Sequence, residues 1–371
     1  MKVVYLSNFD GNLDSGINKK MIGQVKSLKR HFPKTELIYL INANEDKATL
    51  GEFRGIEANV PPFRGFMDKV KSLFFFMDDP ELLLSIPMDI LYLRNPTLPT
   101  SIMRKLKKKG VQVVIEIVSN TRQESLIRKS YFNAYVMHYV YQRRLKEADK
   151  IVSVTREIFE KCYNINNSDF LELGNGYPFN DNGFVNTNSY SLDQTLNLVC
   201  VARFSQWHAI DRLLKGLRNY NGKDKVNVYL VGDGRALAHL KEMTLSYGLE
   251  SQVFFKGFLS GIELEEVLSK AHVGIANLGI HRKGLTYTSP LKSREYCSMA
   301  IPFIYAGIDK DFIDFKYGLR FEADDSPIDI GKILEFALSV SNSNKEQEMR
   351  AYALENISYE SKIKKLIKFL N

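Results

Sequence analysis

The chain alternates short apolar runs with longer segments of helical period, and this alternation occurs twice. The first series contains β-branched or aromatic runs of strand length, such as "KVVYLS" and "VQVVIEIV", with helix-like segments at 17–31 and 101–109. A second series begins after residue 195 with "LNLVCVA", "VNVYLVG" and "VGIAN". Continuous apolar strands separated by helices are typical of parallel sheets that are covered on both faces. The sequence therefore predicts two α/β domains, with the Asn- and Ser-rich segment 179–194 between them.

Composition restricts the class of protein. A chain of 371 residues is long enough for two domains, and its 44% apolar and 25% charged residues are typical of soluble globular proteins. No apolar run approaches the roughly 20 residues that span a bilayer. The cysteines Cys162, Cys200 and Cys297 lie far apart with no nearby histidine pair. This spacing argues against a metal cluster or a disulfide framework, and we expect a cytoplasmic protein.

Positive charge is concentrated in the first half of the chain. The net charge is +8, and residues 101–150 contain 12 Lys/Arg against 4 Asp/Glu. Segment 63–77, "FRGFMDKVKSLFFFM", mixes basic and large apolar residues. Two interpretations stay open: a peripheral contact with the inner face of a membrane, or ordinary helices with one solvated face. We expect no nucleic-acid partner because no nucleic-acid-binding motif is present.

The segment 284–298, "GLTYTSPLKSREYCS", contains a helix start. Ser289 is a suitable N-cap, and Pro290 is suited to the first helical position. The next N–H groups would point out of the helix end, where the macrodipole favours an anion. These N–H groups belong to Leu291, Lys292 and Ser293.

Charged side chains give this helix start a more specific chemistry. Lys292 adds a positive charge beside the N–H groups, which makes a phosphate cradle. Glu295, one turn deeper, would accept hydrogen bonds from a diol. Phosphate beside a diol describes the diphosphate and ribose of a nucleotide. The alternative is a local ion pair between Lys292 and Glu295 on a solvated helix.

Two more cationic candidates follow the first strand of the second series, in "VCVARFSQWHAIDRLLKGL". Ligands of open parallel sheets bind beyond the carboxyl ends of the strands, where Arg203 and His208 are expected. The planar guanidinium of Arg203 suits a diphosphate. His208 would donate one hydrogen bond if neutral and bind phosphate if protonated. Alternatively, it is a packed loop residue beside Trp207.

Two shorter motifs have structural interpretations. Gly232-Asp233-Gly234 follows a strand, and such glycines often only permit a tight turn. The aspartates of "DKD" at 309–311 have metal-ligand spacing, but they follow a turn signal and are predicted to cap a helix. No metal site is therefore predicted.

Taken in order, these segments resemble the retaining, nucleotide-sugar-dependent glycosyltransferases of family four. The resemblance covers most of 148–306 and is carried by "ADKIVSVTREI", "LGNGYPF", "VARFSQWHAIDRLL", "VYLVGDG", "VFFKGFLSGIELEEVLSKAHVGIANL" and "SPLKSREYCSMAIPFI". It implies the α/β GT-B fold, in which two Rossmann-like domains with parallel sheets face a central cleft. The implied parts are an acceptor-binding domain at 1–180, a donor-binding domain at 195–355 and a C-terminal helix at 356–371 that packs back on the first domain.

The resemblance also implies roles for individual residues. Arg203 and Lys292 would stabilise the leaving diphosphate and are the predicted catalytic residues. Gly16 would border the sugar and acceptor, and Phe258 would lie near the nucleotide base. No metal or other cofactor is expected. The full predicted donor-binding set is Gly16, Arg203, His208, Phe258, Tyr287, Ser289, Pro290, Leu291, Lys292 and Glu295.

The sequence departs from the family pattern in three places. Glu295 matches the last glutamate of the E-x7-E motif, but Tyr287 stands where the first glutamate is expected. A tyrosine can hydrogen-bond a sugar hydroxyl but supplies no negative charge beside an oxocarbenium-like transition state. His208 replaces a lysine that many members have. Residues 118–120 lack the histidine that many members place after the fourth N-terminal strand.

These features predict a metal-independent, retaining, hexosyltransferase-like glycosyltransferase. It would move a sugar from a nucleotide-diphosphate sugar to a glycan or lipid-linked acceptor in polysaccharide or glycoconjugate biosynthesis. The alternative is a non-catalytic homologue that binds an acceptor or supports a partner enzyme. A sugar-nucleotide epimerase shares the fold, but no acid–base pair for it is identifiable, and fold alone does not decide function.

Overall fold

The chain folds into two compact units, each with its own sheet. The N-terminal unit comprises Met1–Pro178 and Lys362–Asn371, and the C-terminal unit comprises Phe179–Ser361. Segment 63–77 lies largely outside the described residues, so its membrane contact stays a prediction. The computed structural model describes residues 1–13, 15–42, 47–60, 67, 70, 76–77, 79–163, 169–180, 183–341 and 344–371.

The N-terminal unit contains a seven-stranded parallel sheet with the order β3-β2-β1-β4-β5-β6-β7. Its strands are Val3–Asn8 (β1), Glu36–Ile41 (β2), Arg54–Glu57 (β3), Ile90–Arg94 (β4), Gln112–Ile117 (β5), Lys150–Ser153 (β6) and Phe170–Glu172 (β7). Its α-helices are Gly16–His31 (α1), Pro80–Leu84 (α2), Thr100–Lys108 (α3), Thr121–Ile127 (α4), His138–Leu145 (α5) and Arg156–Tyr163 (α6). A 3₁₀ turn spans Lys47–Leu50, and a π-helical turn at Asn133–Met137 precedes α5.

The C-terminal unit contains a six-stranded parallel sheet with the order β10-β9-β8-β11-β12-β13. Its strands are Leu196–Val201 (β8), Val226–Val231 (β9), Val253–Gly257 (β10), Val273–Ile275 (β11), Phe303–Ala306 (β12) and Gly318–Phe321 (β13). Its α-helices are Ile210–Asn219 (α7), Leu237–Ser246 (α8), Gly261–Ser269 (α9), Leu291–Ser298 (α10), Ile330–Ser339 (α11) and Lys345–Tyr352 (α12). Further helical turns lie at Gln206–His208, Ile280–Lys283 and Ala353–Ile357.

The prediction of two Rossmann-like α/β domains is confirmed. The apolar runs became strands because both faces of each sheet are covered, as the buried patterns of β2 and β4 illustrate. The sequence reading missed β3, β7 and β13. These strands have three or four residues each and are only partly buried, so they lack a continuous apolar run.

The described part of segment 179–194 packs on the C-terminal unit. Asn186 is only 1% exposed, and its amide donates hydrogen bonds to the carbonyl oxygens of Leu268 at 2.7 Å and Ala271 at 3.0 Å. Tyr190 joins the apolar core of that unit. The Asn- and Ser-rich composition of 179–194 indicated a linker, whereas in the structure Asn186 satisfies two carbonyl groups of the C-terminal unit.

The last helix, Tyr359–Leu370 (α13), supplies apolar residues to the N-terminal unit. Ile363, Leu366 and Leu370 belong to the same buried cluster as Val3 and Tyr5 of β1. Of the helices in the described ranges, none is long and apolar enough to cross a bilayer.

Leu366→Ala should destabilise the N-terminal unit by about 2–5 kcal/mol, because Leu366 is fully buried and its removal leaves a cavity. Lys365→Ala, at the exposed neighbouring position, should change stability by at most about 0.5 kcal/mol. Urea unfolding followed by circular dichroism measures both changes. Fluorescence of Trp207, the single tryptophan of the chain, reports the C-terminal unit separately. Equal effects of the two substitutions would show that α13 does not contribute to this core.

Candidate functional site

The strand order of the C-terminal sheet reverses between β8 and β11, and ligands of open parallel sheets bind beyond the carboxyl ends of strands at such a point. Tyr296 of α10 lies at this position. Its hydroxyl accepts a hydrogen bond from the Val201 N–H at 3.2 Å and lies 3.3 Å from the Val199 carbonyl oxygen. A Cβ at Gly274 of β11 would lie 2.7 Å from the Tyr296 ring. Glycine at this position therefore leaves room for the Tyr296 ring, so that α10 can pack against the sheet where the strand order reverses.

Helix α10 begins one residue later than predicted. Leu291 is its first residue and Pro290 is the N-cap, so the prediction of a Ser289 N-cap with Pro290 in the first turn is wrong by one position. The Thr288 N–H donates to the Ile308 carbonyl oxygen at 2.9 Å, which keeps the preceding segment extended. Proline offers no capping side chain. The N–H groups of residues 291–293 therefore have no capping side chain in the described part of the chain, and they favour an anion.

A buried ion-pair cluster holds α10 in place. Arg294 is fully buried, and its guanidinium binds the carboxylates of Asp309, at 2.8 Å through Nη2, and of Asp311. The same guanidinium lies 4.9 Å from the ring centroid of Phe312. The prediction that residues 309–311 cap a helix is wrong, because this segment forms a turn that binds Arg294.

Lys292 carries a buried ammonium group. Its side chain as a whole is only partly covered, but Nζ is closed off from solvent and has no hydrogen-bond partner among the residues that the structure describes. Burial lowers the Lys292 pKa, while the Cys200 thiol and the Glu295 carboxylate oppose this change. The predicted alternative, a Lys292–Glu295 ion pair, is therefore not formed. An unpaired buried charge is unfavourable, so this position favours an anionic ligand.

His208 lies in the turn between β8 and α7 and is held neutral. Its Nδ1 accepts a hydrogen bond from the Ser205 N–H at 3.0 Å, which assigns the ring proton to Nε2. Burial, followed by the charges of Lys292 and Lys283, holds the His208 pKa well below its ordinary value. His208 therefore offers a neutral N–H donor and does not replace the positive charge of a lysine.

Arg203 lies in the same turn and is exposed. Its guanidinium makes no hydrogen bond or ion pair with any part of the chain that is described, so it is available to a ligand. Two close approaches fix the backbone around it. A Cβ at Gly232 would lie 2.0 Å from the Ala202 carbonyl oxygen, and one at Gly234 would lie 2.3 Å from that of Phe204. Both glycines have positive φ, so they permit this tight turn.

Sequence reasoning missed Lys283, which lies near this site. Its Nζ is 4.5 Å from the ring centroid of Trp207, and its charge contributes to the lowered pKa of His208. Lys283 is 75 residues from His208 in the chain, so only the fold brings them together. A weak signal was present in the basic triplet His281–Lys283 that precedes Gly284.

Glu295 and Tyr287 flank the start of α10. Glu295 is partly buried, three residues beyond Lys292. Tyr287 is partly exposed, and its backbone pairs with Ile308 beside the end of β12. The Lys310 Nζ lies 5.4 Å from the Tyr287 ring centroid. Tyr287, which stands at the position of the first E-x7-E glutamate, is thus held beside the turn at 309–311 that binds Arg294.

The remaining predicted residues are exposed. Phe258, directly after β10, is 75% exposed, and Gly16 is the first residue of α1 in the N-terminal unit. The roles predicted for both residues stay predictions. Within the described ranges, no group of three or more His, Cys, Asp or Glu residues could hold a metal ion.

Residues 189–280 match the model of a family described as glycosyl transferases group 1, which covers about a quarter of the chain. The matched range includes Arg203, His208 and Phe258 but ends before α10. No curated protein sequence gives a significant match.

Solved structures show similarity over the whole chain. The apo form of the lipopolysaccharide outer core galactosyltransferase WaaB has a TM-score of 0.69 at 16% identity, with 100% of each chain covered. Sucrose-phosphate synthase from Thermosynechococcus elongatus has a TM-score of 0.70 at 13% identity, covering 100% of this chain and 98% of that one. HepE from Anabaena in complex with UDP has a TM-score of 0.67 at 12% identity, covering 100% and 99%. The chain therefore has the two-domain GT-B fold, and the family match supports glycosyl transfer.

His208→Gln should weaken the acid sensitivity of the fold. Because the His208 pKa is lowered in the folded state, the unfolded chain alone takes up this proton just below pH 6.5, and stability falls as the pH falls. One proton changes the free energy of unfolding by at most about 1.4 kcal/mol per pH unit. Urea unfolding between pH 5 and 7 should give a flatter profile for His208→Gln, while the exposed control His239→Gln should follow the wild type. Parallel profiles for the wild type and His208→Gln would contradict a neutral, buried ring.

Proposed function

We propose that the chain is a glycosyltransferase whose C-terminal unit binds a nucleotide-diphosphate sugar at the start of α10. The observation that carries this proposal is the buried Lys292 ammonium, which has no partner among the described residues. It lies in the first turn of α10, where the free N–H groups also favour negative charge. A diphosphate would pair with the ammonium and accept hydrogen bonds from the N–H groups at the same time.

The surrounding residues fit the other parts of such a donor. The exposed guanidinium of Arg203 would bind the diphosphate as a planar fork, and the His208 Nε2–H would add a neutral hydrogen bond. The Glu295 carboxylate would accept hydrogen bonds from the ribose hydroxyls. Phe258 would lie near the base. Uridine nucleotides are the first choice for the base because the similar protein HepE was solved with UDP.

The reaction would retain configuration at the anomeric carbon. The bond between this carbon and the diphosphate oxygen breaks while the acceptor hydroxyl oxygen attacks from the same face. The proton of that hydroxyl passes to an oxygen of the leaving phosphate, so no side-chain base is needed. Arg203, Lys292 and the helix end would stabilise the charge that develops on the leaving group, in a metal-independent reaction.

The acceptor would be a glycan or a lipid-linked molecule bound by the N-terminal unit, in polysaccharide or glycoconjugate biosynthesis. A cytoplasmic protein at the inner face of a membrane suits such an acceptor. Three tyrosines at four-residue spacing support a peripheral contact: Tyr131, Tyr135 and Tyr139 are each more than half exposed. Arg143 lies 5.8 Å from the Tyr139 ring centroid, which adds charge that would attract anionic lipid.

The alternative function is a non-catalytic homologue that supports a partner enzyme. Tyr287 at the first motif position favours this alternative because it brings no negative charge to the reacting carbon. A chain retained only for interaction does not need an unpaired ammonium at a helix start. Nucleotide binding and turnover therefore distinguish the two functions.

Lys292→Met should stabilise the ligand-free protein by about 1–3 kcal/mol, because it removes an unpaired buried charge. The same substitution should abolish stabilisation by a nucleoside diphosphate. At 100 times its dissociation constant, the nucleotide should stabilise the wild type by about 2.7 kcal/mol. Thermal unfolding with and without UDP, GDP and ADP measures both effects.

Lys332→Met is the matched control because Lys332 is exposed on α11 of the same unit. It should leave both the melting temperature and the nucleotide shift unchanged. If no nucleotide at millimolar concentration stabilises the wild type, donor binding fails and the non-catalytic alternative becomes the better account. If the nucleotide raises the melting temperature of the wild type and of Lys292→Met equally, it binds at a site other than the start of α10.

Tyr287→Phe should weaken binding of the sugar part of the donor. If the Tyr287 hydroxyl contacts the sugar, its loss should reduce affinity for the nucleotide sugar by about 5–30-fold, equivalent to one hydrogen bond to a polar ligand group. Affinity for the free nucleoside diphosphate should stay the same. Calorimetric titration with UDP and with the stabilising UDP-sugar compares the two ligands. Unchanged affinity for both would exclude this contact.

A further inference from the structure

The N-terminal sheet reverses its strand order between β1 and β4, as the C-terminal sheet does between β8 and β11. Arg94 is the last residue of β4, and Asn8 is the last residue of β1. The register that pairs Leu6 with Leu93 brings these two strand ends together. Polar residues at the carboxyl edge beside a reversal occupy the position where parallel sheets bind ligands.

Glu116, which is in register with Arg94 on the adjacent strand β5, already has its own partners. Its Oε1 accepts from Lys20 Nζ at 3.0 Å, and its Oε2 accepts from the Tyr5 hydroxyl at 3.1 Å. Burial raises the pKa of Glu116, but the charges of Lys20 and then Arg94 outweigh this effect and keep the pKa below its ordinary value. Glu116 is therefore ionised and directly bonded to Lys20.

Arg94 has no such direct partner. Its side chain is 9% exposed and makes no hydrogen bond or ion pair with any described residue, and its Nε is closed off from solvent. Glu116 balances the charge of Lys20. Asp10, whose carboxylate accepts hydrogen bonds from the Ser15 hydroxyl and from Asn18 Nδ2, acts on the Tyr39 hydroxyl together with Arg94. The guanidinium of Arg94 nevertheless keeps N–H donors that have no acceptor among the described residues.

Two buried amide oxygens, one on β1 and one on α1, lack donors among the described residues. Asn8 Oδ1 and Asn18 Oδ1 are buried, and neither has a hydrogen-bond partner in the described chain. Asn18 lies on α1, two residues before Lys20, and Asn8 ends β1. A ligand with hydroxyl groups next to an oxyanion would supply donors for these oxygens and acceptors for Arg94. Acidic sugars and sugar phosphates have this chemistry.

We propose that Arg94 binds a carboxylate or phosphate oxyanion of the acceptor at the carboxyl edge of the N-terminal sheet. The identification of the ligand as an acceptor depends on the proposed function, whereas the oxyanion site itself does not. The guanidinium is suited to this ligand because its planar fork matches both oxyanions with two parallel hydrogen bonds. The acceptor would thus be an acidic or phosphorylated glycan.

The test compares Arg94→Met with Lys20→Met. Lys20→Met leaves the Glu116 carboxylate buried without its direct partner and should lower the melting temperature. Arg94→Met removes a charge that has no direct partner but that helps to keep Glu116 ionised, so it should lower the melting temperature by much less than Lys20→Met does. If Arg94 served only to support Glu116, the two substitutions would lower the melting temperature by similar amounts, which would overturn the proposal.

Ligand binding is measured in the Lys292→Met background, so that phosphate does not bind at the start of α10. Glucuronate, glucose 6-phosphate and neutral glucose are titrated while the melting temperature is followed. We expect glucuronate or glucose 6-phosphate, but not glucose, to raise the melting temperature, and the comparison of the two anions identifies carboxylate or phosphate as the preferred group. Adding Arg94→Met should abolish the shift, and Arg94→Lys should restore part of it. A shift that persists without Arg94, or no shift with either anion, would overturn the proposal.

Activity gives a second readout once the acceptor class is known. Arg94→Met should raise the KM for an anionic acceptor by at least about tenfold and leave the affinity for the nucleotide unchanged. If nucleotides fail to bind while the Arg94-dependent anion shift remains, the donor proposal fails and the anion site stands. An unchanged acceptor KM would contradict the assignment of the ligand as an acceptor.

Discussion

An ammonium group that is shielded from water beside the free N–H groups of a helix end is unfavourable until an anion joins it. Lys292 is in this situation at the start of α10. The Tyr296 hydroxyl anchors the helix to β8, and Arg294 ties it to the turn after β12. Both contacts attach the helix that carries this charge to the sheet and to a neighbouring turn. The fold thus maintains a destabilised cation in the ligand-free state, a feature typical of binding sites, where stability is exchanged for function.

Both units have a cation near the point where the strand order of the sheet reverses, but the cationic group differs between them. Each sheet reverses its strand order once, and each reversal lies near a cation that has no direct partner in the described chain: Arg94 in the N-terminal unit and Lys292 in the C-terminal unit. The ammonium is a compact charge beside helix N–H groups, which suits a diphosphate. The guanidinium is a planar fork, which suits a carboxylate or a single phosphate. This difference between the groups is the chemical reason why we propose different ligands for the two units.

Strands with continuous apolar runs, such as β2 and β4, could be predicted because burial on both faces leaves a local pattern. The short strand β7 could not, since three partly buried residues leave no such pattern. The sequence could predict Lys292 as a phosphate-binding residue because a helix start leaves a local signal. The surroundings of Lys283 and Arg94 are formed by residues far away in the chain, so the sequence alone did not single out these two residues. The predicted N-cap at Ser289 failed because the pairing of Thr288 with Ile308 is also non-local.

The most direct test of this account is a crystal structure of the protein with a bound nucleoside diphosphate, starting with UDP. We expect a phosphate oxygen within about 2.7–3.2 Å of Lys292 Nζ and of at least one N–H group in the first turn of α10. The Arg203 guanidinium should reach the same diphosphate. A diphosphate bound elsewhere at full occupancy, with Lys292 Nζ still lacking an acceptor, would contradict the central claim that this buried charge is the donor-binding group.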